Sequence, residues 1–129
     1  MIVYLSNMSL KIVEDYVKKN YKKIKIVGCV TIREKNGIAY SSRNALLSTK
    51  EKKIASTIFQ VLKSHKHKLI KKKLSIKKIK SRIIKLGISK LDYLEVLDVN
   101  KLIPPFIKKN KYKIFISYYL RKTRLIDNI

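Results

Sequence analysis

The spacing of apolar residues changes partway along the chain, and this change limits the fold more than any other feature. Between Ser48 and Gly87, apolar side chains recur at three- and four-residue steps, which is the period of an α-helix. After Gly87, they recur at every second position, which is the period of a β-strand. Two helices followed by strands predict a small α+β domain, with the helices packed on one face of an antiparallel sheet.

Both helices carry sequence signals at their ends. Ser48, with Glu51 three residues later, forms a capping box at the start of the first helix, which we expect to run to about His65. The second helix is predicted over about 72–86, with Gly87 as its C-terminal stop. The apolar faces are Ile54, Ala55, Ile58, Phe59 and Leu62 in the first helix, and Ile76, Ile79, Ile83 and Leu86 in the second.

Three strands are predicted after the helices. They cover Leu91 to Leu97, a segment with Ile114, Ile116, Tyr118 and Leu120 on one face, and Thr123 to Ile129. Pro104 and Pro105 keep the link between the first two strands irregular. Alternation puts Asp92 and Asp98 on one face of the first strand and Glu95 on the other. This predicts balancing of nearby lysines rather than a site of paired carboxylates.

The first thirty residues form a different piece. A helix is predicted from Ser9 to Asn20, with Lys18 and Lys19 in its last turn, followed by a strand over residues 24–27 that Gly28 stops. A helix followed by a strand is half of an α/β unit, and no strand is expected before this helix.

The charge is extreme, because 32 Lys and Arg face 8 Asp and Glu, giving a net charge of +24 on 129 residues. Such a chain could bind nucleic-acid phosphates, or its lysines could reflect codon usage in an A+T-rich genome. Lysine far outnumbers arginine, the residue that phosphate and base sites prefer, which favours codon usage. The lysine-rich run from Lys63 to Lys85 also lacks aromatics for stacking bases, so we expect no specific nucleic-acid binding.

Other function classes are limited by the cysteine, histidine and apolar content. Cys29 is alone, so it cannot form an intramolecular disulfide, and we expect it to be a small buried apolar residue. The pair His65 and His67 is expected to be a solvated helix end, because residues two apart on a helix point apart. No apolar run approaches the length of a membrane span. These features predict a cytoplasmic protein without a membrane contact.

The segment from Gly37 to Asn44 holds the residues best suited to chemistry. It has no helical or strand period and is predicted to be a loop that leads to the capped helix. The hydroxyls of Ser41 and Ser42 can donate hydrogen bonds to phosphate oxygens, and the Arg43 guanidinium can neutralise negative charge. The residues alone are compatible with a phosphate clamp and with an ordinary polar turn.

Three sequence blocks, in order, resemble the pantothenate synthetase family (pantoate–beta-alanine ligases), and the resemblance extends over nearly the whole chain from about Ser9. The first block is Ile26-Val27-Gly28, Thr31-Ile32-Arg33-Glu34 and Asn36-Gly37-Ile38-Ala39-Tyr40-Ser41-Ser42-Arg43-Asn44; the second is Leu91-Asp92-Tyr93-Leu94-Glu95-Val96-Leu97-Asp98; the third is Thr123-Arg124-Leu125-Ile126-Asp127-Asn128.

The resemblance implies an ATP-dependent ligase. Such an enzyme adenylates pantoate with release of pyrophosphate, and the amine of beta-alanine then displaces AMP to give pantothenate, with Mg²⁺ accompanying the nucleotide. Tyr40, Ser41, Ser42 and Arg43 match the family's counterpart of the KMSKS loop and are implied to bind ATP. Ile32 matches a position where the backbone contacts adenine. No residue is assigned as catalytic or as a metal ligand.

The resemblance also implies how the chain is divided. Residues 1–30 would be the residual end of an α/β nucleotide-binding domain, and residues 31–129 a C-terminal, lid-like domain. The family's Lys-Asp-x-Gln-Gln motif would fall on residues 5–9 and is absent, and Val30, Tyr40 and Arg121 also depart from the family pattern. We therefore expect activity to need an N-terminal half, for example on a separate chain. The alternatives are a small basic nucleic-acid-binding module and an inactive gene remnant.

Overall fold

The computed structural model describes residues 2–99 and 112–129. Within these ranges the chain forms two compact units, Met1–Ile32 and Arg33–Ile129. Pro104 and Pro105, which were predicted to keep a link irregular, lie outside the described residues.

The first unit is a β-α-β unit, so the prediction that no strand precedes its helix is wrong. Strand β1 (Ile2–Ser6) leads into helix α1 (Asn7–Asn20), and strand β2 (Lys25–Cys29) returns parallel to β1. Sequence reasoning missed β1 because a five-residue apolar run has no readable period. Only its pairing with β2, from Ile2–Lys25 to Ser6–Cys29, defines it as a strand.

The ends of α1 and β2 follow local chemistry. The Asn20 side chain donates a hydrogen bond to the Tyr16 carbonyl at 2.8 Å and ends the helix, as predicted. Cys29 is exposed, which corrects the prediction of a buried residue. One helix and two short strands have too little apolar surface to cover every side chain of this unit, and the last residues of β2 stay accessible.

The second unit is the predicted α+β domain. A 3₁₀ helix (Ser42–Leu46) precedes helices α2 (Thr49–Ile70) and α3 (Ile76–Ile84). Strands β3 (Lys90–Asp98), β4 (Tyr112–Leu120) and β5 (Thr123–Asn128) follow and form an antiparallel sheet in the order β3-β4-β5. The core between helices and sheet is closed by side chains that are almost fully buried: Ile58, Leu62, Ile83, Leu94, Ile114, Ile116 and Leu120.

The helix ends confirm the capping signals and revise the lengths. Ser48 and Glu51 form both hydrogen bonds of the capping box. Helix α3 ends at Ile84, earlier than predicted, and Gly87, with a φ of +98°, lies in the turn after it. Helix α2 continues past its predicted end near His65 to Ile70. His65 Nδ1 lies 2.8 Å from the Val61 carbonyl oxygen. Helix α3 starts later than predicted, because Lys72 has a φ of +54° and breaks the helical backbone.

An irregularity in β3 overturns one expectation about its acidic residues. Leu91 pairs with Tyr118 and Tyr93 pairs with Ser117, so Asp92 is an extra residue and the alternation shifts there. Asp92 and Asp98 therefore do not share a face. Asp92 instead accepts a hydrogen bond from Arg124 Nε at 2.8 Å and pairs with Lys90 at 3.2 Å, so it balances nearby cations as predicted.

A helix that crosses a bilayer must be both long and apolar. In residues 2–99 and 112–129, none of them combines the length and the apolar content needed to cross a membrane.

The neighbours Ile83 and Ile84 provide a matched test of the core. Ile83 is 0% exposed, whereas Ile84 is 54% exposed. Replacing Ile83 with Ala should lower the free energy of unfolding by about 2–5 kcal/mol, because it removes buried methyl groups and leaves a cavity. Ile84→Ala should change it by no more than about 0.5 kcal/mol. Urea denaturation of both variants measures the difference, and equal losses would contradict this description of the core.

Candidate functional site

The segment before α2 is the predicted loop, and hydrogen bonds within it give it a defined structure. It begins with a tight turn, in which the Glu34 amide donates to the Ile38 carbonyl at 2.8 Å and the Gly37 amide donates back to the Glu34 carbonyl at 2.9 Å. Gly37 has a φ of +90°, and a Cβ there would lie 2.2 Å from the Phe59 ring. The turn therefore requires glycine for its backbone conformation and for its close approach to α2.

The second part of the loop is the 3₁₀ helix. Ser41 caps it, because its Oγ accepts a hydrogen bond from the Arg43 amide at 3.2 Å. The Ser41 hydroxyl hydrogen remains available as a donor after this bond forms. Sequence reasoning did not identify the 3₁₀ helix, because five residues are too few for a periodic signal.

A buried amide closes the base of the loop. Asn44 is only 5% exposed, and its side-chain nitrogen donates to Glu34 Oε1 at 2.7 Å and to the Ala39 carbonyl at 3.0 Å. The second oxygen of Glu34 accepts a bond from the Asn36 amide nitrogen at 3.2 Å. Residues before and after the turn are thus held together by side-chain hydrogen bonds inside the loop.

The other end of the loop is attached to β5. The Arg33 guanidinium makes a bidentate ion pair with Asp127, at 2.7 and 3.0 Å, and also donates to the carbonyls of Gly37 and Asn128. Its carbon Cζ lies 4.5 Å from the centroid of the Phe59 ring. One side chain therefore joins the turn, helix α2 and the last strand.

Four of the predicted ATP-binding residues, Tyr40, Ser41, Ser42 and Arg43, form an exposed segment of the loop. We call this segment the crest. All four side chains are exposed, and Tyr40 reaches 67%. Arg43 Nη1 donates to the Arg124 carbonyl at 3.2 Å, so the guanidinium rests on β5 at the surface and is not enclosed in the core. The fifth residue, Ile32, is the last residue of the first unit and is 72% exposed.

Arg43 of the crest and its neighbour Arg124 on β5 differ in whether a carboxylate neutralises them. The hydrogen bond from Arg124 holds the pKa of the Asp92 carboxyl below its ordinary value, so Arg124 is neutralised by an ionised partner. Among residues 2–99 and 112–129, the structure pairs Arg43 with no carboxylate. Arg43 is therefore the cation of the crest that is free to receive an anion.

The residues that hold the crest were not predicted as functional. Arg33, Glu34, Asn44 and Asp127 all lie in the first and third sequence blocks, so the resemblance covered them without giving them a role. The Arg33–Asp127 contact joins positions 94 residues apart, and no local pattern could reveal it.

Comparisons with known proteins show which family the sequence resembles. The sequence model of a family described as pantoate-beta-alanine ligase matches residues 7–129. A pantothenate synthetase of Endomicrobium trichonymphae is 34% identical over 122 residues, which are 93% of this chain and 43% of that protein. A pantothenate synthetase of Buchnera aphidicola is 38% identical over 124 residues, 92% of this chain and 43% of that protein. The chain thus spans less than half the length of these relatives.

Solved structures show the same fold. Pantothenate synthetase from Thermus thermophilus aligns over 99% of this chain and 49% of its own, with a TM-score of 0.80 and 23% identity. Pantoate-beta-alanine ligase from Francisella tularensis aligns over 99% of this chain and 42% of its own, with a TM-score of 0.72 and 26% identity. That structure is complexed with beta-gamma ATP and beta-alanine.

Gly37 and Gly87 allow the close contact with Phe59 to be tested separately from backbone strain. Both have positive φ, but a Cβ on Gly87 would meet only Ile54, at 3.7 Å. Alanine should cost about 1–2 kcal/mol of strain at either position. Gly37→Ala should cost a further ~1–3 kcal/mol, because the new methyl group overpacks against the ring. Thermal unfolding of the two variants checks this, and equal losses would rule out the contact.

The capping box at the end of the loop predicts a dependence on pH. Hydrogen bonds from the side chain and backbone of Ser48 lower the pKa of Glu51 below its ordinary value of 4.5. The ionised form therefore stabilises the folded state above pH 4.5, and this contribution is lost as the pH falls through the lowered pKa. Wild type should exceed Glu51→Gln in unfolding free energy at neutral pH, and the gap should shrink in acid. A gap independent of pH in urea denaturation would contradict the assignment.

Proposed function

The chain belongs to the pantoate-beta-alanine ligase family, and we therefore propose that it forms the carboxy-terminal part of a ligase that makes pantothenate. In the reaction, the carboxylate of pantoate attacks ATP and pyrophosphate leaves. The amine of beta-alanine then attacks the pantoyl adenylate and displaces AMP. Pantoate, beta-alanine and ATP are the proposed substrates.

The observation that supports this proposal most is the exposed crest on a fixed base. Nucleotidyl transfer depends mainly on holding phosphates in line and on neutralising the charge that develops on the leaving group. Ser41 and Ser42 provide exposed hydroxyl donors, and Arg43 provides an exposed cation without a carboxylate partner among the described residues. We assign these three residues to the phosphates of ATP.

The remaining contacts to the nucleotide are assigned by position. Tyr40 borders the hydroxyl pair with an exposed ring, and the backbone of Ile32 is proposed to contact adenine. Mg²⁺ is proposed to arrive with the phosphates and to neutralise part of their charge. Residues 2–99 and 112–129 contain no group of three side chains suited to hold a metal, so the ion is not assigned to side chains of these segments.

The proposed site is a shared one. The chain spans about 43% of the length of its relatives, and we propose that the rest of the nucleotide and pantoate sites comes from polypeptide outside this sequence. That polypeptide is proposed to be the amino-terminal part of a pantothenate synthetase, and the reaction is placed in the cytoplasm. A separate nucleic-acid-binding role is not favoured, since the family match extends over residues 7–129.

Arg43 provides the direct test of this function. The chain is combined with the amino-terminal portion of a pantothenate synthetase, and pantoate-dependent exchange between ATP and pyrophosphate is measured. Arg43→Ala should lower the exchange rate by about 10²–10³-fold, because it removes a cation that acts on the leaving group. Arg43→Lys should recover only part of the rate, because lysine lacks the planar fork.

Arg82→Ala is the matched control, because Arg82 is an exposed arginine on α3 of the same unit. It should leave the exchange rate unchanged. Equal rates for wild type and Arg43→Ala would remove Arg43 from the site. Absence of exchange with the wild-type chain would argue for an inactive remnant.

A further inference from the structure

We propose that Arg33 is a positioning residue, which holds the crest in the conformation that receives the phosphates of ATP. This inference rests on the proposed function, because the crest matters only if it binds a nucleotide. Arg33 does not belong to the crest and is not assigned to touch substrate. Its role would be to join the turn before the crest to strand β5 and helix α2.

The contacts of Arg33 need a planar group with several donors. Nη1 donates to Asp127 Oδ2 at 2.7 Å and to the Gly37 carbonyl at 3.1 Å. Nη2 donates to Asp127 Oδ1 at 3.0 Å and to the Asn128 carbonyl at 2.8 Å. The Phe59 ring covers one face of the guanidinium at 4.5 Å. A lysine ammonium would keep the charge but could not form the bidentate pair or stack in this way.

Because Arg33 and Asp127 are largely buried, loss of either partner would leave a poorly solvated charge without its counterion. The side chains of Arg33 and Asp127 are only 21% and 14% exposed. Burial, together with the charges of Lys66 and Arg33, lowers the pKa of the nearby Lys113, whereas the charge of Asp127 opposes this effect. Asp127 therefore neutralises a cluster formed by Arg33, Lys66 and Lys113. Its loss would leave the largely buried Arg33 beside like charges.

Strand β5 holds the loop at two points. Arg33 is bonded to Asp127 and Asn128, before the crest, and Arg43 is bonded to the Arg124 carbonyl, at its end. At about 3.4 Å per residue, these attachments lie roughly 10 Å apart along the strand. Between them, Asn44 and Glu34 close the base. Loosening the Arg33 attachment should free the turn and let the crest move relative to its second attachment.

Hydrogen–deuterium exchange on the full chain tests whether Arg33 fixes the loop. Arg33→Ala should raise the exchange rates of the Gly37, Ile38 and Asn44 amides by at least about tenfold, since all three are hydrogen-bonded within the loop. Asp127→Asn, which keeps the side-chain size, should raise them in the same positions and serves if Arg33→Ala does not fold. Unchanged protection of these amides in a folded variant would overturn the proposal.

Arg121→Ala is the control for loss of an ion pair. Arg121 pairs with Glu51 at 3.3 Å and makes no described contact with the turn. This variant should leave the exchange rates of the three loop amides unchanged. If it raised them as much as Arg33→Ala, the effect would be general loss of stability and the positioning role would be rejected.

Steady-state kinetics in the reconstituted ligase separate positioning from stability. Arg33→Ala should raise the KM for ATP about tenfold or more and leave the KM for pantoate unchanged, and Arg33→Lys should not restore it. A lowered Tm with a wild-type KM for ATP, measured well below that Tm, would show a structural role only and would overturn the inference. If the wild-type pair shows no activity, the proposed function fails, whereas hydrogen exchange still decides whether Arg33 fixes the loop.

Discussion

The pair between Arg33 and Asp127 is the interaction on which the candidate site depends. It joins the first turn of the second unit to its last strand, and it lies where burial makes an unpaired charge expensive. The same guanidinium also donates hydrogen bonds to two backbone carbonyls, those of Gly37 and Asn128. An exposed polar segment without a hydrophobic face of its own can keep one conformation only through attachments of this kind.

The core and the site share helix α2. Its buried side chains Ile58 and Leu62 pack toward the sheet, while Phe59 lies beside Gly37 and Arg33, and the hydroxyl of Ser56 donates to the Asn36 carbonyl at 2.7 Å. The capping box fixes where this helix begins, directly after the loop. Contacts with α2 therefore fix the position of the loop. The crest is exposed to solvent, and the residues at its base are held by these contacts.

Prediction from the sequence was best where the signal was local and periodic. The capping box and strand β4 appear as expected, because each depends on a few neighbouring residues. Prediction failed where the pairing between strands decides the structure. Strand β1 exists through its bonds to β2, and the extra residue at Asp92 depends on the register with β4. Cys29 was expected to be buried on residue type, but exposure depends on what packs against it.

The amino-acid sequence alone was enough to assign the α+β class and the family, and it pointed to the short segment of hydroxyls and guanidinium proposed to contact ATP. These depend on residue type, spacing and order along the chain. The contacts of Arg33 and Asn44 that hold the base of this segment, and the position of Arg43 at the surface against β5, are visible only in the folded domain. The reason is that a contact between residues 94 positions apart is set by the packing of the whole domain, and no local pattern encodes it.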